Sequence, residues 1–194
     1  MHRSARERFL GRERDMEDWN VIITVFQGGY RRALRVMRQL DPVERSPYHN
    51  VLVMKVDDSA ALLSAVEIRT RESPALYDTI SRVAPAQRTF DFRTCDELLT
   101  RAKSVISEWS PRLAGYRCYA RLHLRGMRHD LPTQEMERRL DLEIVEKTGG
   151  IGRPASIAFT DPDVIVAVDT IDNRAGLALW MRDELRCYEV LRPG

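Results

Sequence analysis

The segment YRCYARLHLRGMRHD, residues 116–130, alternates apolar and polar positions and carries almost all of its polarity as positive charge. If it forms a β-strand, one set of side chains shares a face: Arg117, Tyr119, Arg121, His123 and Arg125. Guanidinium groups can bind phosphate oxygens through two hydrogen bonds at once, and aromatic rings between them can stack on unpaired bases. The spacing is typical of a surface for single-stranded or terminal RNA, which Arg128 and His129 in the following loop would extend.

A second explanation of the same segment fits the pattern equally well. The helix predicted from Thr133 carries five acidic residues: Glu135, Glu137, Asp141, Glu143 and Glu146. One face of that helix could lie over the basic strand and neutralise its arginines. The alternation alone therefore leaves both an RNA-binding face and a neutralised face open.

Side chains that could carry out catalysis are not arranged in a recognisable motif. The sequence has no G-x-G-x-x-G, no phosphate-binding G-x-x-x-x-G-K-[ST], no G-x-S-x-G and no H-E-x-x-H. Asp161 and Asp163 in TDPD could act as paired carboxylates or hold a cation, but Asp-Pro is also a common way to begin a turn. We therefore expect a protein that binds rather than catalyses, with no catalytic residues, no cofactor and no metal site.

The cysteines and the charge balance limit the class of protein. Cys95, Cys118 and Cys187 are odd in number and widely spaced, which argues against a disulfide framework or a structural zinc site and favours three core positions. The net charge of +2 is too small to indicate a nucleic-acid partner by itself. No apolar run approaches the ~20 residues of a membrane helix, and residues 1–17 are expected to be a basic flexible leader without a secretory signal. We expect a cytoplasmic protein with no membrane partner.

Residues 18–93 have the pattern of an α/β unit of ferredoxin-like type. WNVIITV, at residues 19–25, predicts a strand that leads into a turn at Gly28-Gly29, a place between strand and helix that also suits an anion. The next helix carries a possible second basic surface opposite its apolar residues: Arg31, Arg32, Arg35 and Arg38. After a second strand and a helix capped near Asp58, a further helix is expected to begin at Ser73, followed by a strand through QRTFDF.

Residues 94–194 are expected to form a second α/β unit, with the boundary near Arg93. Thr94 opens a capping box before a helix that should end at Ser110-Pro111, and the alternating basic strand follows. Thr133 is expected to cap the acidic helix. Two strongly apolar strands joined at Asp172-Asn173 come next, and they should be central strands covered on both faces.

Two stretches, YARLHLRGMRHDLPTQEMERRL and FTDPDVIVAVDTIDNRAGLALWM, together resemble a THUMP domain, an RNA-binding module of tRNA-modifying systems. The points of similarity are the basic strand ending at Arg125-Gly126, the helix at Thr133, Pro162-Asp163 before an apolar strand, and a final strand at Gly176-Leu177. Leu124 stands where the commonest THUMP pattern has another basic residue. The resemblance covers about half of the chain and implies a THUMP-like RNA-binding domain with a mixed sheet over residues 94–194.

Among THUMP proteins, the chain looks most like the stand-alone adaptors for tRNA cytidine acetylation, and NVIITVFQGGYRRALRVM resembles the start of their N-terminal extension. That resemblance implies a non-catalytic protein that presents tRNA to a separate acetyltransferase. It also implies a set of RNA-contacting residues: Arg117, Arg121, His123, Arg125, Arg128 and His129, with Lys147 and Arg153 as additions. Two alternatives remain open, a small RNA-modifying enzyme around Asp161 and Asp163 and a scaffold for an acidic protein partner.

Overall fold

The computed structural model describes residues 18–126 and 131–191, and its contacts divide the chain into two compact units. The leader expected at residues 1–17 lies outside the described residues. Of the described residues, the first unit comprises Asp18 to Pro85 with Tyr188 to Leu191, and the second comprises those from Ala86 to Cys187. This division places the QRTFDF strand in the second unit, whereas the sequence-based boundary near Arg93 places it in the first. Among the described residues, no helix is long and apolar enough to cross a membrane.

The first unit is a four-stranded antiparallel sheet with the element order strand, helix, strand, strand, helix, strand. Its elements are β1 Val21–Val25, α1 Tyr30–Met37, β2 Val43–Arg45, β3 Val51–Met54, α2 Ser59–Glu72 and β4 Ile80–Pro85. The strands lie in the order β2-β3-β1-β4, so β1 pairs with both β3 and β4. This connectivity is the ferredoxin-like arrangement that the sequence predicts.

Two turns of the first unit show why the chain changes direction where it does. The Asp58 carboxylate accepts hydrogen bonds from the backbone N–H groups of Ala60 and Ala61, which satisfies the first donors of α2. Before α1, Gly28 has a φ of +83°, and a Cβ added to Gly29 would lie 3.0 Å from the Thr79 carbonyl oxygen. Both glycines are therefore required by the turn itself.

The prediction of a helix that begins at Ser73 is wrong. A short 3-10 turn at Pro74–Leu76 leads instead into β4, where Ile80 and Val83 pair with β1. The two residues are three positions apart, a spacing that fits a helix as well as an irregular strand. Pairing with the buried strand β1 decides between them, because β-branched side chains pack well on a sheet and tertiary contacts override weak local preference.

The second unit is a five-stranded mixed sheet with two long helices packed on one face. Its elements are β5 Arg88–Asp91, α3 Cys95–Leu113, β6 Arg117–His123, α4 Thr133–Gly150, β7 Ser156–Ile157, β8 Val164–Ile171, β9 Arg174–Met181 and α5 Arg182–Cys187. The strand order is β5-β9-β8-β6-β7, with β6 parallel to β7 and β8 and the other pairs antiparallel. The apolar strands β8 and β9 are internal and almost wholly buried, as predicted.

The core of the second unit lies between the sheet and the helices α3 and α4. It contains Leu98, Ile106, Trp109 and Leu113 of α3, Met136, Leu140 and Ile144 of α4, and the alternate residues of the strands that face them. The hairpin between β8 and β9 turns at Asp172, whose φ of +50° is left-handed, where asparagine and aspartate are tolerated. Cys118 belongs to this core, Cys95 is half-buried and Cys187 is exposed, so the expectation of three core cysteines is wrong for Cys187.

Both long helices differ from the sequence prediction at one end. The helix α3 continues through Pro111, which has no N–H to offer the Ser107 carbonyl, and the Ser110 hydroxyl donates to that oxygen instead at 2.9 Å. Its N-terminus is as predicted, because the Thr94 hydroxyl accepts from the Glu97 N–H. In α4, Pro132 is the N-cap residue and Thr133 is the first helical residue, so Thr133 does not cap.

Candidate nucleic-acid interface

The predicted alternation of the basic strand is present in β6. Cys118, Ala120 and Leu122 are buried in the core, and the polar residues between them face the other way. Of these, Arg117 is exposed, and three are half-buried: Tyr119, Arg121 and His123. Each successive residue of β6 from position 118 pairs in parallel with β8, which fixes the direction of the row along the sheet.

Arg117, at the start of the row, lies in a cluster of exposed and half-buried charges. Its guanidinium is 3.2 Å from the Asp161 carboxylate and 3.4 Å from the Asp163 carboxylate, and its backbone N–H also donates to Asp163 at 2.9 Å. Arg182 donates to the same Asp163 carboxylate at 2.7 Å. The hydrogen bond from the Arg117 backbone, followed by its guanidinium, lowers the pKa of Asp163. The pair of aspartates proposed for acid and base chemistry thus binds two arginines and holds the start of β6.

Further along the row, the arginines also meet carboxylates. The Arg121 guanidinium lies 3.7 Å from Glu137 of α4, and the Arg125 guanidinium lies 3.6 Å from the buried carboxylate of Asp169. The backbone of Arg125 is fixed as well, because its N–H donates to the Thr170 hydroxyl at 3.0 Å. The arginine row is therefore oriented by acids from other segments.

The charge pattern suggested that the acidic helix α4 could neutralise the arginines of the strand. Two of its carboxylates bind the backbone of β6. The side chains of Asp141 and Glu137 accept hydrogen bonds from the backbone N–H groups of Ala120 and Leu122, at 2.7 and 2.9 Å. These carboxylates thereby occupy the edge of β6 that lacks a long neighbouring strand. The other three acids pair with basic residues of the helices: Glu135 with Arg138 and Arg139, Glu143 with Lys103 and Lys147, and Glu146 with Lys147.

Burial at this edge shifts two pKa values. Removal from water raises the pKa of Asp141 to about 6, against the opposing effect of the Ala120 hydrogen bond. Desolvation, together with the nearby Asp141 and Asp163, raises the pKa of the Cys118 thiol to about 12. Cys118 is accordingly an unreactive core thiol, and Asp141 is a carboxylate whose charge is costly at neutral pH.

An aromatic pair not foreseen from the sequence lies beside the row. The Phe159 side chain is 70% exposed, and its ring centroid is 5.4 Å from that of Tyr119, with the rings tilted by 56°. Burial raises the pKa of Tyr119 above its usual value. Phe159 lies in the stretch SIAFTDPD, where a single aromatic residue stands between small and polar ones just before an Asp-Pro turn, and that isolation was the available signal.

The remaining predicted contact residues are distributed as follows. The Lys147 ammonium group pairs with Glu143 at 3.4 Å and with Glu146 at 3.5 Å, while Arg153 is exposed after the end of α4. The Arg153 carbonyl accepts from the Gly115 N–H at 3.0 Å, which brings it close to the start of β6. Arg128 and His129 lie outside the described residues.

The second basic surface belongs to the first unit. The four arginines of α1 and its C-cap residue, called here the arginines of α1, are all exposed: Arg31, Arg32, Arg35 and Arg38. Arg32 donates to the Ser73 hydroxyl at 3.2 Å. Among the described residues, no carboxylate forms an ion pair with these four guanidinium groups, and no cluster of three or more His, Cys, Asp or Glu side chains could hold a metal ion.

Comparison with solved structures supports the fold at low sequence identity. TrmN from Thermus thermophilus matches with a TM-score of 0.58 and 16% identity, over 82% of this chain and 44% of that one. PH1313 from Pyrococcus horikoshii Ot3 matches with a TM-score of 0.52 and 12% identity, over 82% and 53%. A possible methylase from Clostridium difficile 630 matches with a TM-score of 0.53 and 14% identity, over 83% and 40%.

The chain has a THUMP-like fold. The mixed sheet of the second unit, the ferredoxin-like first unit and the match to TrmN together confirm the fold class that the sequence predicts. The comparison thus supports a THUMP-like fold, and it does not support the acetylation adaptor in particular. No protein-family model matches the sequence, and no curated protein is similar to it in sequence.

One expectation has to be corrected in the light of these structures. We expected a protein that is not an enzyme, and that prediction is wrong, because a solved structure of similar fold is a possible methylase. The prediction relied on the lack of a catalytic motif within 194 residues. The chain spans only 40 to 53% of the length of the structures it matches, so a motif search within it does not test their whole length.

Proposed function

We propose that this chain is the RNA-binding part of an RNA-modifying enzyme, with tRNA as the RNA, methylation as the class of reaction and the cytoplasm as the compartment. The observation that carries the proposal is the arrangement at the start of β6. There Arg117 and Arg121 come before and after Tyr119 on the same face of the strand, and the Tyr119 ring contacts the ring of Phe159. Cations that alternate with aromatic rings suit a single strand or an RNA end better than a duplex groove.

The carboxylates around the row are compatible with RNA binding. Side chains of Arg117 and Arg121 remain 45% and 39% exposed although each has a carboxylate nearby. Each guanidinium has five N–H donors in a planar fork, and the Asp161 and Asp163 carboxylates accept from two of the three nitrogens of Arg117. The acids would therefore orient the two arginines, and a phosphate would bind the donors that face solvent.

The role of the chain in the reaction follows from what it offers to a bound RNA. Charge along β6 would hold the backbone, and the ring pair would hold an unpaired base, so that a nucleotide elsewhere in the same RNA is brought to the catalytic site. The possible methylase of similar fold supports methylation rather than another modification. Co-purification from native cells, read by mass spectrometry, would identify a methyltransferase or an acetyltransferase that works with the chain.

The test is RNA binding by the full chain at several salt concentrations. We expect tRNA binding that weakens steeply with salt, and Arg121→Ala should weaken it about tenfold at low salt, because a charged hydrogen bond to phosphate is lost. Arg101→Ala is the matched control, since Arg101 is an exposed arginine of the same unit that also pairs with a glutamate. Equal losses for the two variants, or no tRNA affinity at low salt, would contradict the proposal.

A further inference from the structure

A cleft in the first unit brings together aromatic and cationic side chains that the interface on β6 does not include. It has a volume of about 500 Å³ and lies between the turn that joins β2 to β3 and the start of α1. Its lining includes Tyr30, Arg31, Arg45, Tyr48, His49 and Asn50. None of the described side chains that line the cleft is acidic.

The turn that forms one wall of the cleft has a well-defined backbone. The Ser46 hydroxyl accepts from the Tyr48 N–H at 3.1 Å and donates to the Val51 carbonyl at 2.9 Å. Asn50 has a φ of +58°, and its carbonyl accepts from the Val25 N–H of the central strand β1 at 2.9 Å. The positions of Tyr48 and His49 on this turn are therefore set before any ligand arrives, which reduces the entropic cost of binding.

The other wall joins an aromatic ring to a guanidinium. The Arg45 guanidinium lies 5.7 Å from the centroid of the Tyr30 ring, a distance at which a cation interacts with the face of an aromatic ring. Burial raises the pKa of Tyr30, although Arg45 and Arg38 act in the opposite direction. Tyr30 is thus a half-buried neutral ring among positive charges.

We propose that this cleft binds one unpaired, phosphate-flanked nucleotide of an RNA. The two tyrosines supply faces on which a base can stack, Arg31 and Arg45 supply donors for the phosphates on either side, and the Asn50 amide can hydrogen-bond to a base edge. The inference rests on the proposed RNA-binding function and adds to it a second contact, in the first unit, for the same RNA. An acidic peptide is the competing occupant, and it would use the arginines without needing the rings.

The test uses the full chain and two RNA probes, a labelled single-stranded hexauridylate and a labelled RNA duplex of six base pairs. We expect Tyr48→Ala and Arg45→Ala each to weaken binding of the single strand at least about fivefold, because stacking and a charged phosphate contact are lost. Tyr48→Phe keeps the ring and should bind nearly as well as the wild type. Arg69→Ala removes an exposed arginine of the same unit outside the cleft, and it should change binding less than twofold.

A second measurement locates the contact in the unaltered protein. A hexauridylate with one 4-thiouridine, crosslinked by long-wavelength light and mapped by mass spectrometry, should label peptides that contain Tyr30 or Tyr48. Crosslinks confined to the second unit, or equal behaviour of Tyr48→Ala and Arg69→Ala, would overturn the inference and leave the proposed function standing. If polyglutamate displaces the RNA equally well from the wild type and from Tyr48→Ala, the cleft binds an acidic peptide and the inference is overturned. A wild-type chain with no affinity for tRNA or hexauridylate would overturn both proposals.

Discussion

The two basic regions of the chain differ in what surrounds their guanidinium groups. On β6 and just after it, each arginine lies 3.2 to 3.7 Å from a carboxylate of another segment: Arg117 from Asp161, Arg121 from Glu137 and Arg125 from Asp169. On α1, the guanidinium groups of Arg31, Arg35 and Arg38 are exposed and have no ion pair with a described carboxylate. The sequence shows a similar cluster of arginines in both regions. The structure shows that carboxylates lie beside one cluster and that no described carboxylate pairs with the other.

The difference suggests a division of labour in RNA binding. Arginines that are held by carboxylates have a fixed direction, so they can select a geometry but add little to the long-range field. Arginines without such partners attract phosphate at a distance and release counterions when they bind it, which makes their contribution strongly dependent on salt. We therefore expect β6 to orient the RNA and α1 to attract it.

The largest expected effect comes from removing charge on α1. Arg35→Ala combined with Arg38→Ala should lower tRNA affinity at low salt by about one to two orders of magnitude, and the slope of log K against log salt should fall by about 1.4 to 1.8 if both contact phosphate. Unfolding by urea should be unchanged, because both side chains are exposed. Binding measured by filter retention from 25 to 300 mM salt gives the slope.

The control for this experiment removes the same charge elsewhere. Arg69→Ala combined with Arg101→Ala takes two exposed arginines from helices other than α1. If this variant lowers the slope as much as the α1 variant does, the RNA senses only the net charge of the chain, and the division between the two regions does not hold.

The next effect concerns stability, and it tests whether the charges beside β6 are part of the packing. Burial raises the pKa of Asp141 to about 6, so the folded chain holds this proton more tightly than the unfolded chain does. The stability that this proton provides is fully present below the usual pKa of 3.8 and is lost as pH rises through about 6. Asp141→Asn keeps an oxygen for the Ala120 N–H and has no charge to bury.

The measurement is the difference in unfolding free energy between Asp141→Asn and the wild type. We expect this difference to rise by about 2 kcal/mol in favour of the variant between pH 4 and pH 7, since part of the effect of the shift from 3.8 to about 6 is already present at pH 4. Asp163→Asn is the control, because the pKa of Asp163 is lowered. The stability that its charge provides is present above the usual pKa of 3.8 and is lost as pH falls below it. A flat difference for Asp141→Asn would mean that the carboxylate is better solvated than its burial indicates.

The sequence predicts a feature well when the residues that form it are close together along the chain. The Thr94 cap, the alternation along β6 and the turn at Asp172 are set by neighbours in sequence, and all three are found as predicted. The strand β4 was mistaken for a helix because its pairing with β1 comes from a distant segment. Local pattern is a weak guide where tertiary pairing decides.

The candidate site shows the same limit more strongly. The row of cations on β6 could be read from its own spacing, but the acids that orient it could not. Arg117 meets Asp161, 44 positions later in the sequence, and the edge amide of Ala120 meets Asp141, 21 positions later. Similarly, the cleft with Tyr30 and Tyr48 exists only because β1 and β3 are neighbours in the sheet. These long-range contacts depend on the order and pairing of the strands. The sequence predicted only the fold class, not which residues that pairing would bring together.

The smallest expected effect is the sharpest test of the role of the carboxylates. Glu137→Gln should leave the hydrogen bond to the Leu122 N–H in place, since the amide oxygen can accept it, while removing the negative charge 3.7 Å from Arg121. Because that carboxylate orients Arg121, tRNA should bind two- to fivefold more weakly at low salt. Glu135→Gln is the control, because it changes the net charge equally and, within the described part of the chain, Glu135 pairs with Arg138 and Arg139 of its own helix. Tighter binding by Glu137→Gln alone would mean that the carboxylate competes with phosphate for Arg121, and equal changes in both variants would reduce the effect to net charge.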